Sequence, residues 1–124
     1  PVEKSSWPVG PIIHATPKII DYSDTDGSLV NRYVAVGAND GMLHVFDDTK
    51  TPLDNPVDNG PGNEIFAFVP TAVLPVLQQF DPTLADPKRK VYTVDSSPML
   101  LGYKDSSDND IKLLVFGLRR GGRA

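Results

Sequence analysis

The sequence predicts a mainly β fold, built from short antiparallel strands with one short helix. Its 124 residues suffice for one ordinary domain, so residues 1–124 are interpreted as a single unit with an irregular lead-in over residues 1–10. Twelve prolines and ten glycines favour turns over long helices. Short apolar runs alternate with clusters of turn-forming residues, which is typical of antiparallel sheets.

The N-terminal half predicts strands on both sides of a tight turn. Pro17 cannot donate to a sheet ladder, so residues 12–22 are expected to form a broken or edge strand. Residues 31–38 and 41–47 predict a hairpin, and a third strand is expected over residues 64–70 after a long polar loop. The structural turn of the hairpin should supply positive φ angles, and its residues are Asn39, Asp40 and Gly41.

The C-terminal half predicts the helix and the remaining strands. Residues 71–80 favour a helix because four apolar side chains recur on one face, namely Val73, Leu74, Leu77 and Phe80. Further strands are predicted at three places, residues 91–95, 98–104 and 111–118.

Composition and charge exclude several functions. The net charge is −4 and no basic stripe is visible, which argues against nucleic-acid binding. There is no cysteine, so disulfides and thiolate chemistry are excluded. No apolar run approaches the ~18 residues of a membrane span. The chain starts at Pro1, so we expect a processed form or an excised piece of a longer protein.

No catalytic residue is predicted, and the chain is not expected to be an enzyme. The two histidines, His14 and His44, lie in or beside predicted strands, where a sheet-face histidine is the simpler interpretation than a general base. The sequence contains no nucleophile-elbow or phosphate-loop motif.

Calcium is the one cofactor left open. Asp24, Asp26 and Gly27 match three positions of an EF-hand loop, but Tyr22 and Tyr33 fall where its end ligands belong. A plain turn is therefore the preferred interpretation, with Asp24 and Asp26 as weak metal candidates. The acidic turn over residues 105–110 is also better explained as solvated than as a calcium site.

Exposed loops are the expected contact surfaces, because loops on rigid sheets commonly carry function. The candidate partner-contact residues lie in the long loop and in the acidic turn, and they are Asp54, Asn55, Asp58, Asn59, Asp105, Asp108 and Asp110.

An ordered series of segments adds a resemblance to a known family. The segments are "VGANDGMLHVFD", "GNEIFAFVPTAVLPVLQQF", "VYTVDSSPML" and "LLVFGLRRGGRA". In this order they resemble the C-terminal β-propeller region of the PilC/PilY family of type IV pilus biogenesis and tip-associated adhesin proteins.

This resemblance implies antiparallel sheets of the propeller-blade type, about two blades for this length. It also implies a non-enzymatic extracellular or cell-surface component of a type IV pilus, outer-membrane-associated, that acts in pilus assembly or adhesion. Its partners would be pilin or other pilus proteins. A partial propeller exposes an apolar blade face, so self-association is expected as well.

Two other functions stay open from the sequence alone. One is a quinoprotein-like propeller fragment of a dehydrogenase, which would bind pyrroloquinoline quinone and calcium. The other is a small stand-alone secreted subunit that packs beside a pilin.

Overall fold

The computed structural model describes residues 9–23, 29–49, 62–80 and 91–122, and these form six antiparallel β-strands and two 3₁₀ helices. The strands are β1 (Lys18–Ser23), β2 (Leu29–Gly37), β3 (Leu43–Asp47), β4 (Glu64–Phe68), β5 (Met99–Lys104) and β6 (Asp110–Val115). The 3₁₀ helices are Thr71–Phe80 and Arg119–Gly121. The mainly β, antiparallel class with one short helix of several turns is confirmed, whereas the propeller-blade arrangement stays a prediction.

The first four strands form one antiparallel sheet in the order β1-β2-β3-β4. The β2–β3 hairpin pairs from Tyr33 opposite Asp47 to Gly37 opposite Leu43, which confirms the predicted hairpin. The β3–β4 ladder is interrupted by a bulge between residues 45 and 46, which puts Glu64 opposite Phe46. Because successive side chains alternate faces, this one-residue shift turns the Glu64 carboxylate toward the sheet face that carries residue 44.

The core lies between this sheet and the separate β5–β6 hairpin. Ile20, Ala35 and Val45 form its buried centre, and Leu100 and Leu114 of the hairpin pack against them. The alternate side chains of the hairpin point the other way and are exposed, namely Met99, Leu101, Tyr103, Leu113 and Val115. The hairpin therefore buries one apolar face and leaves a second one uncovered by the described residues.

The predicted helix spans the expected residues, but its geometry is 3₁₀ rather than α. Val73 is fully buried, while Leu74 is 50 % exposed. The expectation that both side chains share the buried face is therefore wrong. A 3₁₀ helix has three residues per turn, so the face below Val73 does not follow the α-helical spacing. Pro75 lies inside the helix, where it has no N–H to donate.

Two predicted strands differ from the structure. The predicted strand over residues 91–95 is wrong, because this segment is irregular although Thr93, Val94 and Asp95 are buried. Its backbone and side chains pair with the β2–β3 turn rather than with a neighbouring strand. The predicted edge strand begins only at Lys18, directly after Pro17. The residues before this strand include Gly10 and Pro11, which hydrogen-bond to the β2–β3 turn.

Candidate functional site

The β2–β3 turn, residues 38–42, is the centre of the best-formed polar site in the described chain. The N–H of Ala38 donates to the carbonyl of Met42 at 3.0 Å and closes the turn. Of the three predicted turn residues only Gly41 has a positive φ, +102°. Asp40 stabilises the turn through its side chain instead. Its carboxylate accepts the N–H groups of Gly10 at 2.6 Å and Met42 at 3.1 Å.

Asn39 faces inward and links the turn to the segment 93–95. Its side chain is 3 % exposed; Nδ2 donates to Asp95 Oδ1 at 3.1 Å, and Oδ1 accepts the Thr93 N–H at 2.9 Å. The Thr93 hydroxyl donates to the carbonyl of Ala38 at 3.2 Å. The N–H of Asn39 itself donates to the carbonyl of Pro11 at 3.0 Å. These bonds fix the orientation of the amide and tie three chain segments together.

Asp95 is the most deeply buried carboxylate described. It is 1 % exposed, and its Oδ2 lies 2.8 Å from Nδ1 of His14. Burial raises the pKa of Asp95, but the hydrogen bonds from Asn39 and His14, with the charges of His14 and Arg119, outweigh it, so the pKa lies below its ordinary value. The negative charge is thus retained in the interior by its donors.

His44 is fully buried and contacts a carboxylate at each ring nitrogen. Nδ1 lies 2.5 Å from Glu64 Oε1, and Nε2 lies 2.9 Å from Asp40 Oδ2. A neutral imidazole has one N–H donor and one acceptor nitrogen, so the tautomer of His44 decides which of the two contacts it donates. The ring stacks on Phe46 with centroids 6.0 Å apart. His44 therefore joins the turn to β4.

Two glycines allow the backbones around this site to approach closely. A Cβ on Gly37 would lie 2.5 Å from the Val94 carbonyl oxygen, and one on Gly121 would collide with the backbone of Thr93. Segment 93–95 is therefore enclosed between the end of β2 and the C-terminal 3₁₀ helix. Neither position tolerates a side chain without movement of the backbone.

The sequence predicted the turn but not the buried side-chain contacts around it. We define the polar cluster as the side chains of His14, Asn39, Asp40, His44, Glu64, Thr93 and Asp95. The expectation placed His44 on a sheet face and named no partner for it. The spacing of Asp40 and His44, four residues apart across a tight turn, was the signal available for one contact. The contact with Glu64 depends on the β3–β4 bulge, which no sequence pattern marks.

The polar cluster is hydrogen-bonded throughout its described part. Every buried side-chain nitrogen or oxygen of the described residues has a partner. Among the described residues, no group of three or more His, Asp or Glu side chains is arranged so that it could hold a metal ion. The His14–Asp95 pair resembles the base-orienting half of a hydrolase triad, but the hydroxyl of nearby Ser97 accepts the N–H of Thr16 instead. The arrangement ties four segments of the chain together.

The acidic turn holds its own shape. Asp105 accepts the N–H groups of Ser107 at 2.8 Å and Asn109 at 2.9 Å, and its pKa lies below the ordinary value chiefly because Asn109 also donates its side-chain amide. Asp108 and Asp110 are exposed and lie within 3.4 and 3.6 Å of the Lys104 ammonium. Asp105 therefore shapes the turn, and the other two carboxylates face solvent.

The remaining predicted site residues lie outside the described residues. These are Asp24 and Asp26, the weak metal candidates, and Asp54, Asn55, Asp58 and Asn59 of the long loop. Their predicted roles stay predictions.

Fold and site together define a class of protein: an antiparallel β module whose buried polar cluster fixes the chain around one hairpin. Comparison with known proteins shows which protein this module is similar to. The chain is 38% identical over 99 residues to the type IV pilus biogenesis factor PilY1 homolog of Xylella fastidiosa (strain Temecula1), a match that spans 78% of this chain and 6% of the relative. A second match to a protein of the same description and organism is 49% identical over 47 residues, or 38% of this chain and 3% of the relative.

The resemblance to the PilC/PilY family is therefore confirmed over the matched part of the chain. The chain spans only a small fraction of the length of these relatives. No family model matches the sequence, and no solved structure matches it. Within the described residues, no helix has the length and apolar character needed to cross a membrane.

Proposed function

We propose that this chain is a β-sheet portion of a PilY1-type protein and serves type IV pilus biogenesis through protein–protein contacts, without catalysing a reaction. The observation that carries the proposal is the 38% identity over 99 residues to a PilY1 homolog. In this role the chain works at the cell surface, in pilus assembly or adhesion, with pilin or other pilus proteins as partners. Such a role needs no cofactor.

The outward-facing surfaces support a contact function. Apolar side chains on the outer face of the β5–β6 hairpin are about half exposed, including Leu101 and Leu113 at 48% each. Contiguous apolar surface of this kind on a β protein favours association. A neighbouring blade of a longer propeller would cover it, and a second copy of the excised chain would cover it as self-association.

The polar cluster supports a structural role for the chemistry-bearing side chains. Asn39 and Asp95 are buried and hydrogen-bonded to each other, and His44 is buried between the carboxylates of Asp40 and Glu64. A side chain that holds several hydrogen bonds in the interior fixes a unique packing of the chain around it. We infer that the polar cluster gives the contact surfaces a rigid base.

A segment exchange tests the proposal. In the Xylella fastidiosa PilY1 homolog, the matched segment is replaced by the corresponding residues of this chain, and surface pili are counted by electron microscopy beside a twitching assay. We expect pili and twitching at the level of the unmodified homolog. A chimera that reaches the cell surface at normal levels but supports no pili would contradict the proposal.

A second chimera separates contact from folding. Reversal of charge at two exposed carboxylates of the acidic turn, Asp108→Lys with Asp110→Lys, should lower the pilus count while the amount of chimera at the cell surface stays unchanged. Asp48→Asn, also an exposed carboxylate but outside this turn, is the matched control and should leave the count unchanged. Equal pilus counts in both variants would remove the acidic turn as a contact surface.

A further inference from the structure

An apolar cleft of about 230 Å³ lies between the four-stranded sheet and the β5–β6 hairpin. It is separate from the polar cluster, whose histidines and carboxylates contribute nothing to its walls. Its lining is apolar or aromatic except for one cation, and consists of Ile20, Tyr22, Tyr33, Val45, Ile65, Phe66, Leu100, Lys112 and Leu114.

A glycine faces Lys112 on the hairpin, beside the cleft. Gly102 lies opposite Lys112 on the face that packs toward the sheet, between Leu100 and the end of β5. Without a side chain at Gly102 the hairpin adds little bulk there, and the long stem of Lys112 runs alongside. Leu100 and Leu114 of the hairpin pack against the sheet beside the cleft and form part of its wall.

The size and walls of the cleft suit an aromatic ring. A cavity of about 150 Å³ lined by apolar side chains is enough to bind benzene. Tyr22 and Tyr33 pack edge to face with centroids 6.2 Å apart, and Phe66 is 53% exposed beside them. A further ring placed among these three can make the offset or edge contacts that aromatic pairs prefer.

The single cation adds a charge preference. The Lys112 ammonium lies 5.7 Å from the centroid of the Tyr22 ring, at the rim of the cleft. Nearby Asp21 is engaged by Arg32, whose Nε donates to it at 2.7 Å. Within the described residues Lys112 has no carboxylate at salt-bridge distance and acts on the Asp21 carboxylate only at longer range through its charge, so an anionic group on the occupant of the cleft would be its direct partner.

A free strand edge beside the cleft favours a peptide as the occupant. Ile65 and Phe66 belong to β4, which pairs with β3 on one side only in the described part of the chain. An extended segment can lie along the open side of such a strand, with alternate side chains reaching into a neighbouring pocket.

From these observations we propose that the cleft binds a partner peptide through one aromatic side chain and a carboxylate directly beside it. The aromatic ring packs against Tyr22, Tyr33 and Phe66, and the carboxylate pairs with the Lys112 ammonium. This site goes beyond the proposed pilus role and depends on the cleft alone.

The test uses the 124-residue chain and two small probes that differ only in charge. N-acetyl-phenylalanine, with a free carboxylate, and its amide are titrated into isotope-labelled protein, and binding is followed by nuclear magnetic resonance at Leu100, Leu114 and Val45. We expect the carboxylate to bind at least about fivefold more tightly than the amide, the effect of one charge-assisted contact. No shift at these methyl groups, or equal binding of the two probes, would overturn the proposal.

Variants on the β5–β6 hairpin place the binding in the cleft. Lys112→Met keeps the stem and removes the charge, so it should reduce the preference for the carboxylate to about unity. Leu114→Phe fills the cleft and should abolish binding, whereas Leu113→Phe, one residue away on the exposed outer face, should leave it unchanged. Loss of binding in Leu113→Phe with a native spectrum would contradict the placement.

Octanoate serves as the third probe. It offers the same carboxylate on a flexible chain without a ring or a peptide group. Tighter binding of octanoate than of N-acetyl-phenylalanine would identify a fatty-acid site and overturn the peptide proposal. Weaker binding of octanoate supports it.

Discussion

Single side chains in the polar cluster determine how the chain meets itself at the β2–β3 turn. Asn39 and Asp40 were predicted for the conformation of their backbones, yet Gly41 alone has the positive φ. Their side chains stabilise the turn instead. Asn39 hydrogen-bonds to the 93–95 segment, and Asp40 hydrogen-bonds to His44 and to the Gly10 N–H. A turn-forming residue can thus be correctly placed from sequence while its role is in a contact distant along the chain.

The carboxylate of Asp95 gives the clearest residue-scale prediction. In Asp95→Ala the buried Asn39 amide and the partly exposed His14 ring lose their acceptor, which should lower the free energy of unfolding by about 3 kcal/mol. Chemical denaturation at pH 7 measures the change. Asp21→Asn, at an exposed carboxylate, is the control and should cost much less.

The same carboxylate sets a pH dependence. Since the folded-state pKa of Asp95 lies below its ordinary value, its contribution to stability is full above the unfolded-state pKa and is lost as the pH falls through the folded-state pKa. Wild-type stability should therefore decline below about pH 4. The decline should be shallower in Asp95→Asn, and identical acid arms for the two proteins would contradict this assignment.

Glycine at residue 37 provides a second residue-scale prediction. A Cβ there would lie 2.5 Å from the Val94 carbonyl oxygen and 2.9 Å from Val94 Cγ1. Gly37→Ala should therefore destabilise the chain by roughly 1–3 kcal/mol, through displacement of packed backbone. Thermal unfolding is the measurement. Gly102→Ala is the matched control in a strand, because its Cβ would meet nothing closer than 3.8 Å, and it should leave the melting temperature the same or higher.

At the scale of elements, residue composition and turn signals identified the hairpin strands and failed where burial has another cause. The β2–β3 hairpin has β-branched and aromatic residues on both sides of the Asn-Asp-Gly turn, so its position could be predicted, and both faces of β3 are buried at Leu43, His44 and Val45. Residues 91–95 carry the same β-branched composition, but Thr93 and Asp95 are buried because they bond to Asn39 and Ala38. Hydrogen-bond partners on other elements leave no periodic trace in the sequence.

The helix shows a related limit. Its extent over residues 71–80 could be predicted from the recurrence of apolar side chains, but the 3₁₀ geometry could not. The structure buries Val73 and exposes Leu74, against the expectation that both face the core. The side of a helix that is buried depends on residues per turn, and a short segment does not distinguish 3.0 from 3.6 by pattern alone.

A pair of alanine variants tests which side of the helix is buried. Val73→Ala should lower the free energy of unfolding by roughly 1–3 kcal/mol, since a fully buried side chain is truncated. Leu74→Ala removes more atoms from a half-exposed side chain and should cost less than Val73→Ala. The reverse order in urea unfolding would show that the helix packs through the α-helical face.

At the scale of the whole molecule, the chain combines a family resemblance with an exposed apolar surface. The ordered segments from "VGANDGMLHVFD" to "LLVFGLRRGGRA" predicted the family, and the similarity to PilY1 homologs confirms it over the matched part. The contact role of the long loop stays a prediction, because its candidate residues Asp54, Asn55, Asp58 and Asn59 lie outside the described residues. The outer face of β5–β6 carries apolar side chains that no described residue covers.

The central claim is that this chain is one module of a PilY1-type protein, in which that outer face is covered. The chain has no cysteine, so a single introduced thiol reports on one position of the isolated chain without background, and labelling of the chimera without that thiol is subtracted from labelling of the chimera that carries it. The most direct measurement is the rate of thiol labelling of Leu113→Cys in the isolated chain and inside the homolog chimera, with Asp108→Cys in the exposed turn as the control. We predict that Leu113→Cys is labelled rapidly in the isolated chain and many-fold more slowly in the chimera, while Asp108→Cys is labelled rapidly in both. Equally rapid labelling of Leu113→Cys in the folded chimera would contradict the claim.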